Sequence, residues 1–152
     1  MNSQQQHVAD FMRMAGQEVS KTPVNIKLIT ARNRVVYLLE ECEAEYLESV
    51  QDDDIVGIAD ALGDSLYVLL GTANAHGIDL EPIFEEIHRS NMTKLWTWDE
   101  CKNMKHNEIV TRINSEERCY RVVNKLGKLI KSPSYSPANL APIIEAQKKN
   151  SQ

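Results

Sequence analysis

Two stretches of helical length, residues 33–50 and 54–76, carry carboxylates on faces that should otherwise be apolar. Successive residues of an α-helix are rotated by about 100°, so Glu41, Glu45 and Glu48 of the first stretch fall within ~60° of one another. A row of acids on one helix face constrains the fold strongly, because its members must either face water or share a partner of opposite charge.

The second stretch places its acids in the most hydrophobic segment of the chain. Asp60 and Asp64 lie one helical turn apart there. A buried carboxylate is costly unless it is paired, hydrogen-bonded or bound to metal. The short link at residues 51–53 predicts that the two helices pack antiparallel, which brings four or more carboxylates together. Such an oxygen-rich group suits Mg²⁺ or Mn²⁺, and solvated acids on two amphipathic helices are the simpler alternative.

Composition limits the class of protein. The chain has 152 residues, of which 42% are hydrophobic, enough for one domain with one core. The net charge of -5 argues against nucleic-acid binding. Three cysteines, odd in number and without metal-ligand spacing, indicate reduced and buried thiols. We recognise no secretory or membrane-spanning segment, since Asp60 and Asp64 interrupt the one long apolar helix, and we expect a cytoplasmic protein that does not bind membranes.

Through most of residues 1–95 the apolar residues recur at the spacing of a helix. Val8, Phe11 and Met12 recur at the spacing of an amphipathic helix and predict that an N-terminal helix packs through them. The aspartates at residues 52–54 predict an N-cap for the second central helix, and Gly77 predicts its end.

The pattern changes in residues 96–152. A capping box, Thr97-x-x-Glu100, predicts the start of a short helix, which is followed by β-rich segments at residues 109–113 and 119–123. A turn at residues 124–127 and a return strand at residues 128–130 complete a predicted hairpin. The proline-rich tail, defined here as residues 132–144, contains three prolines and is expected to be extended. The predicted fold is therefore mainly α: a single domain built as an antiparallel helix bundle, with a small C-terminal β-hairpin and an extended tail.

Four segments, in order, resemble the all-α nucleoside triphosphate pyrophosphohydrolase superfamily. They are R-x-x-x-L-L-E-E at residues 34–41, D-A-L-G-D-S-L-Y at 60–67, G-T-A-x-x-x-G-I-D at 71–79 and E-I-H-R-S-N-M-T-K at 86–94. Within that superfamily the chain is similar to the branch of phosphoribosyl-ATP pyrophosphohydrolases and MazG-like enzymes. The ending G-K-L-I-K-S-P-S-Y-S-P-A-N-L also resembles the small bacteriophage members of this branch.

The resemblance implies a four-helix core that forms a homodimer or homotetramer, with divalent metal bound by E-E-x-x-E and E/D-x-x-(x)-D motifs. Glu40 and Glu41 match the double Glu, and Asp64 matches the final aspartate. The chain departs from the motifs at two positions. The third Glu would fall at Ala44, and the acid three residues before Asp64 would fall at Ala61.

At each of these two positions, residues 44 and 61, an adjacent residue is acidic. Glu45 or, in competition with it, Glu43 replaces the acid missing at residue 44, and Asp60 replaces the one missing at residue 61. The metal ligands expected from this match are Glu41, Glu45, Asp60 and Asp64. They are expected to hold two or more Mg²⁺ ions, with Mn²⁺ as a substitute.

Catalytic and phosphate-binding residues follow from the same match. Glu40 and Glu41 are the expected catalytic residues, with Glu40 accepting a proton from the attacking water or binding a further ion. The segment S-N-M-T-K resembles the family's S-N-M-S-K, which implies that Asn91 and Lys94 hold the substrate phosphates.

The expected reaction is hydrolysis of a nucleoside triphosphate to the monophosphate and pyrophosphate in control of the nucleotide pool. A purine deoxynucleotide such as dGTP or dATP is the favoured substrate. Phosphoribosyl-ATP pyrophosphohydrolase is one alternative, and a non-catalytic helical interaction or nucleotide-binding module is another. We expect a homo-oligomer also on physical grounds, because the central helix pair is too apolar for one small domain to cover.

Overall fold

The computed structural model describes residues 2–102, 104, 109–115, 117–118 and 120–150. The helices are α1 (Ser3–Met14), α2 (Leu28–Leu39), a π-helix (Glu40–Glu45), α3 (Tyr46–Gln51), α4 (Ile55–His76), α5 (Leu80–Met92), α6 (Trp98–Cys101) and α7 (Ala141–Lys149). Two short strands, β1 (Ile109–Arg112) and β2 (Tyr120–Val123), pair antiparallel. The prediction of a mainly α fold with a small hairpin is confirmed. The chain divides into two compact units, Met1–Glu81 with Pro142–Gln152, and Pro82–Ala141.

Helix α4 is the centre of the first unit and packs against α1, α2, the π-helix and α3. The segment from α2 to α3 is continuous, and a tight turn at residues 52–54 leads into α4. Asp54 caps α4 by accepting a hydrogen bond from the backbone N–H of Val56 (3.0 Å), and Gly77 ends it in the left-handed conformation (φ 67°). The predicted antiparallel pairing of the two central helices is confirmed, and so are the predicted start and end of α4.

The core of the first unit is small. Its central cluster of buried side chains is Val8, Met12, Leu70 and Ala75. Phe11 was predicted to pack with Val8 and Met12, and its burial there is wrong, since its side chain is 48% exposed. Its ring forms a T-shaped pair with the Tyr67 ring, at 5.9 Å between ring centres. The expectation of buried thiols is wrong for Cys42, which is exposed, while Cys119 lies outside the described residues.

A buried amide pair joins α1 to the end of α4. Gln5 Nε2 donates to Asn74 Oδ1 (3.1 Å) and to the carbonyl of Ile78 (2.7 Å), and Gln5 Oε1 accepts from the N–H of Leu80 (3.1 Å). Asn74 Nδ2 in turn donates to the carbonyl of Gln5 (3.0 Å). Both side chains are at most 1% exposed, so these hydrogen bonds replace water completely.

Large apolar side chains remain exposed along the central helices. On α4 they recur at spacings of seven, four and three residues, as in a helix-bundle seam: Ile55, Leu62, Leu66 and Leu69. By length and composition alone α4 is also apolar enough to cross a membrane, and little of it is buried within the described residues. Core helices of soluble proteins meet the same test, so the finding assigns no location.

The second unit is built around Trp96, whose indole Nε1 donates to the carbonyl of Ile130 (2.9 Å). The predicted capping box at the start of α6 is present, with Thr97 and Glu100 each bonding the other's backbone N–H. The predicted turn at residues 124–127 also forms. The predicted return strand at residues 128–130 is reduced to a single bridge between Val123 and Leu129.

The last part of the chain corrects the predicted extended tail. Residues 135–140 have no regular secondary structure, but helix α7 follows them from Ala141. The helix tolerates Pro142 because this residue lies in the first turn, where proline loses no helical hydrogen bond. The Gln147 side chain fixes α7 to Asp79. Its Oε1 accepts from the Asp79 N–H and its Nε2 donates to the Asp79 carbonyl, both at 2.9 Å.

Replacing Gln5 by Met tests the amide pair. Gln5→Met keeps the length of the side chain but leaves Asn74 Oδ1, the Ile78 carbonyl and the Leu80 N–H without their partner, so we expect the free energy of unfolding to fall by about 2–3 kcal/mol. Urea denaturation measures the change. Gln6→Met is the matched control on the exposed side of α1, with an expected change within about 0.5 kcal/mol. Equal changes in the two variants would contradict a structural role for the pair.

Candidate functional site

The acid-rich segment of the first unit is a π-helix, in which backbone hydrogen bonds span five residues instead of four. One additional residue therefore enters the turn. Within this segment Glu45 is hydrogen-bonded to Glu41, while the side chain at residue 44 is only a methyl group. Of the two acids expected to replace the one missing at residue 44, Glu45 acts on Glu41 and Glu43 does not. The sequence contained a signal for the π-helix, a spacing of E-E-x-x-x-E where the motif has E-E-x-x-E.

Glu41 lies at the centre of a group of acids, called here the acidic group, that also contains Glu45, Asp64 and, at its border, Glu40. Its Oε2 is buried and has no hydrogen-bond partner within the part of the chain that the structure describes. Burial raises the pKa of Glu41, and the negative charges of Glu45 and Asp64 raise it further. A hydrogen bond with Glu45 and the more distant charge of Glu40 act in the same direction. Glu41 is therefore an acid that its neighbours disfavour in the charged form.

Asp64 reaches this group from α4. Cys42 Sγ and Ser65 Oγ, the neighbours of Glu41 and Asp64 in sequence, lie 3.1 Å apart and fix the π-helix against α4. Ala61 is 1% exposed, so a carboxylate at this position would be buried in the core. Asp60, the predicted substitute, is exposed at the preceding position and does not contribute to the pKa shift of Glu41.

The predicted ligands are brought together only in part. Glu41, Glu45 and Asp64 are electrostatic neighbours, and Glu43 is exposed and does not act on Glu41. Across the described residues, no three acidic, histidine or cysteine side chains converge closely enough to hold a metal ion. Carboxylates repel one another, so side chains of this kind converge when a cation lies between them.

The residues present fit a hard divalent cation. Mg²⁺ prefers carboxylate oxygens and keeps several waters, and the group offers carboxylates from two facing helices. The buried Oε2 of Glu41 supplies the independent observation, since a buried oxygen without a donor is an acceptor left for a ligand. Glu41, Glu45 and Asp64 are the residues that would hold such an ion once their side chains converged on it, and Asp60 is one turn away from Asp64.

A cleft of about 350 Å³ opens in the first unit at the beginning of α2. Its polar and aromatic lining consists of Gln17, Glu18, Thr30, Asn33, Arg34 and Tyr37. Arg34 Nη2 donates to Gln17 Oε1 (3.1 Å), and a Cβ added at Gly71 would lie only 3.1 Å from Arg34 Nη1. Sequence analysis did not recognise this cleft, although Arg34 and Tyr37 precede Glu41 by two turns and one turn on the same helical stretch.

The predicted phosphate-binding residues lie in the second unit, where α5 ends. Lys94 Nζ donates to Asn91 Oδ1 (2.6 Å), so the two side chains are in contact. Ser90, between Arg89 and Asn91, is buried, and its carbonyl accepts from Thr93 Oγ1 (2.8 Å). This hydrogen bond closes the turn that positions Lys94.

An antiparallel helix pair with carboxylates on its facing sides, together with a donor-rich helix end, defines the class of all-α nucleotide pyrophosphohydrolases. The family model for phosphoribosyl-ATP pyrophosphohydrolase matches residues 8–91, more than half of the chain. The chain therefore belongs to the phosphoribosyl-ATP pyrophosphohydrolase family, part of the MazG-like all-α superfamily, and is a nucleotide pyrophosphohydrolase, a hydrolase that acts on acid anhydrides. The comparison with curated proteins gave no match.

Substituting Glu41 tests the acidic group without an activity assay. In EDTA, Glu41→Gln removes a disfavoured charge, so we expect the free energy of unfolding to rise by about 1 kcal/mol. With saturating Mg²⁺ we expect the opposite: the variant should be less stable than the unsubstituted protein. Bound metal stabilises the native protein by about 2.7 kcal/mol at one hundred times its Kd, and the variant binds the metal more weakly. Thermal unfolding in the two buffers measures both effects.

Glu43→Gln is the control for this experiment, since it removes the same charge from an exposed position of the same π-helix. Its free energy of unfolding should stay within about 0.5 kcal/mol of that of the unsubstituted protein in both buffers. Indifference of the unsubstituted protein to Mg²⁺ would count against a metal site.

Proposed function

We propose that this protein is a Mg²⁺-dependent enzyme of the cytoplasm that hydrolyses a purine deoxynucleoside triphosphate to the monophosphate and pyrophosphate, and so controls the nucleotide pool. The observation that carries the proposal is the buried, unpartnered Oε2 of Glu41 beside Glu45 and Asp64. The family supports pyrophosphohydrolase activity, and the acidic group supports a metal-dependent form of it.

The charge of the substrate supports a metal requirement. A triphosphate carries about four negative charges near neutral pH, so an acidic site attracts it only through cations that reverse the local sign. We propose Glu41, Glu45, Asp60 and Asp64 as the residues that hold two or more Mg²⁺ ions. Such ions neutralise phosphate oxygens and lower the pKa of a bound water.

The protein's own groups perform the remaining steps. Glu40 is exposed at the border of the acidic group and is proposed to accept the proton of the attacking water. Lys94 and Asn91 are proposed to bind the phosphates and to stabilise the charge of the departing pyrophosphate.

The cleft at the start of α2 is the proposed site of the nucleoside. Its volume lies in the range of small-molecule pockets, and it lies one to two helical turns from Glu41. Arg34 offers the donor pair that suits O6 and N7 of guanine, while Glu18 offers acceptors for the N1–H and amino group of the same base. This complementarity favours dGTP over dATP. Tyr37 supplies an aromatic face against which the base can stack.

Phosphoribosyl-ATP is the second candidate substrate, and the name of the matching family favours it. It presents the same α,β-anhydride as a triphosphate, but its purine carries a second ribosyl group. A panel of dNTPs, NTPs and phosphoribosyl-ATP with Mg²⁺ separates the candidates. Binding of nucleotide without release of pyrophosphate would instead identify a non-catalytic member, the alternative raised by alanine at residues 44 and 61.

Glu41→Gln and Asp64→Asn test the reaction directly. We expect each to lower turnover of dGTP by about 100-fold or more, because each removes a ligand of the ion that activates the water. Pyrophosphate release is measured, and chromatography separates dGMP from dGDP to locate the bond that breaks. Glu43→Gln should stay within about twofold of the unsubstituted protein. Undiminished turnover in both site variants would remove the proposed site.

We also propose that a second copy of this chain covers the apolar face of the central helices, giving a homodimer or homotetramer. The exposed seam on α4 supports this, because a row of four aliphatic side chains at bundle spacing matches a partner helix with the same spacing. Asp60 and Asp64 interrupt the same helix, which makes a lipid environment unfavourable for it. An isologous arrangement brings each seam against its copy.

Leu69→Asp tests this interface. A charge in the centre of an apolar contact costs more than the contact stabilises, so we expect the variant to elute as a monomer of 17.3 kDa. Size-exclusion chromatography with light scattering measures the mass. Leu126→Asp is the control, because Leu126 is 92% exposed in the hairpin turn and should leave the oligomer intact. A monomeric unsubstituted protein would exclude the proposed assembly.

A further inference from the structure

The proline-rich tail is attached firmly to α5. Arg89 forms a bidentate ion pair with Glu86 (2.7 and 2.8 Å) and also donates to Ser136 Oγ (3.1 Å) and to the carbonyl of Pro137 (3.3 Å). Glu86 Oε1 accepts from the backbone N–H of Asn139 (2.8 Å). The hydrogen bond from Arg89 and that from Asn139 lower the pKa of Glu86 to about 2. The tail is thus held in one position along the helix.

This attachment places Tyr135 beside the end of α5. Ser90 Oγ, which is buried, donates to the phenolic oxygen of Tyr135 (3.4 Å). The Nζ of Lys131 lies 4.2 Å from the centre of the Tyr135 ring. The hydrogen bond from Ser90 and the positive charges of Lys131 and Lys94 all lower the pKa of Tyr135. Two ammonium groups and one phenol therefore share a small region of the second unit.

The positive charge of this region is not neutralised. Among the residues that the structure describes, neither Lys94 nor Lys131 forms an ion pair with a carboxylate. The two partly buried acids of the unit are used elsewhere: Glu86 pairs with Arg89, and Glu100 with Arg118. Like charges close together are unfavourable unless an anion lies near them.

The phenolic hydroxyl of Tyr135 is also oriented to bind an anion. Its oxygen accepts the hydrogen bond from Ser90, and its own proton has no acceptor within the described part of the chain. A phenol whose pKa is lowered donates a stronger hydrogen bond to an anionic oxygen. Lys94, Lys131 and Tyr135 together present three donors that an oxyanion with several oxygens can bridge.

We propose that Lys131 and Tyr135 bind the pyrophosphate portion of the substrate together with Lys94, so that the proline-rich tail is one wall of the polyphosphate site. The proposal rests on the proposed function for the identity of the anion. Lys131 binds through charge, Tyr135 through its free phenolic proton, and Ser90 positions the phenol without touching the ligand. The two prolines of residues 132–138 and the contacts of Arg89 keep this wall in place.

Binding of inorganic pyrophosphate to the full chain in EDTA tests the proposal, because without metal ions the anion can be bound only through donors of the protein itself. Isothermal titration calorimetry gives the Kd. We expect Lys131→Gln to weaken binding about tenfold and Tyr135→Phe about threefold, as befits the loss of a charge-assisted and of a single hydrogen bond. Lys128→Gln is the matched control, with the same charge change at an exposed lysine three residues earlier, and should change the Kd less than twofold.

The outcomes separate this proposal from the proposed function. Absence of pyrophosphate binding to the unsubstituted protein, or equal Kd values for Lys131→Gln and Lys128→Gln, would overturn the role of the tail even if Mg²⁺-dependent hydrolysis is observed. Tenfold weaker binding with Lys131→Gln supports it even if no substrate is hydrolysed.

Discussion

Electrostatic repulsion around Glu41 is the constraint on which the first unit depends. A carboxyl oxygen that has no partner among the described residues is buried beside Glu45 and Asp64, so this face of the helix pair is less stable than an apolar one would be. The rest of the unit offsets that cost by neutral interactions at a distance from the acids. The Asp54 cap, the contact between Cys42 and Ser65, and the amides of Gln5 and Asn74 fix α4 without using any of the central acids.

The π-helix belongs to the same arrangement. Its wider turn has poorer hydrogen-bond geometry than an α-helix, and π-turns occur frequently at functional sites. In an ordinary α-helix Glu45 would lie one turn from Glu41, about 40° away around the axis. The two acids are also neighbours in the π-helix, since the charge of Glu45 and a hydrogen bond with it raise the pKa of Glu41.

Features that local chemistry determines were predictable from the sequence. Asp54, Gly77 and the Thr97 capping box end or begin helices through contacts within a few residues, and the structure places each as expected. The pairing of the central helices followed from their short link. The π-helix was not predictable from periodicity, since a single additional residue changes the phase without changing the composition. The exposure of Phe11 was also missed, because the spacing of apolar residues does not show how much of a face another helix covers.

Contacts between distant segments were the largest gap. The ion pair of Glu86 and Arg89 looks like an ordinary pair on a helix surface, and only the structure shows that it also holds Ser136, Pro137 and the N–H of Asn139. The prolines of the tail excluded helix only over residues 132–140, since α7 begins at Ala141, and they gave no information on what the tail contacts.

The charges of the chain argue against a scaffold whose acids only confer solubility. In such a protein every carboxylate would face water, whereas Glu41 has a buried oxygen and a pKa raised first by its burial. The lysines show the converse, since Lys94 and Lys131 lie near each other around Tyr135 while the partly buried acids of that unit are paired with arginines. The proposed metal ion and the proposed polyphosphate would each offset one of these two groups of like charges, whereas solubility explains neither group.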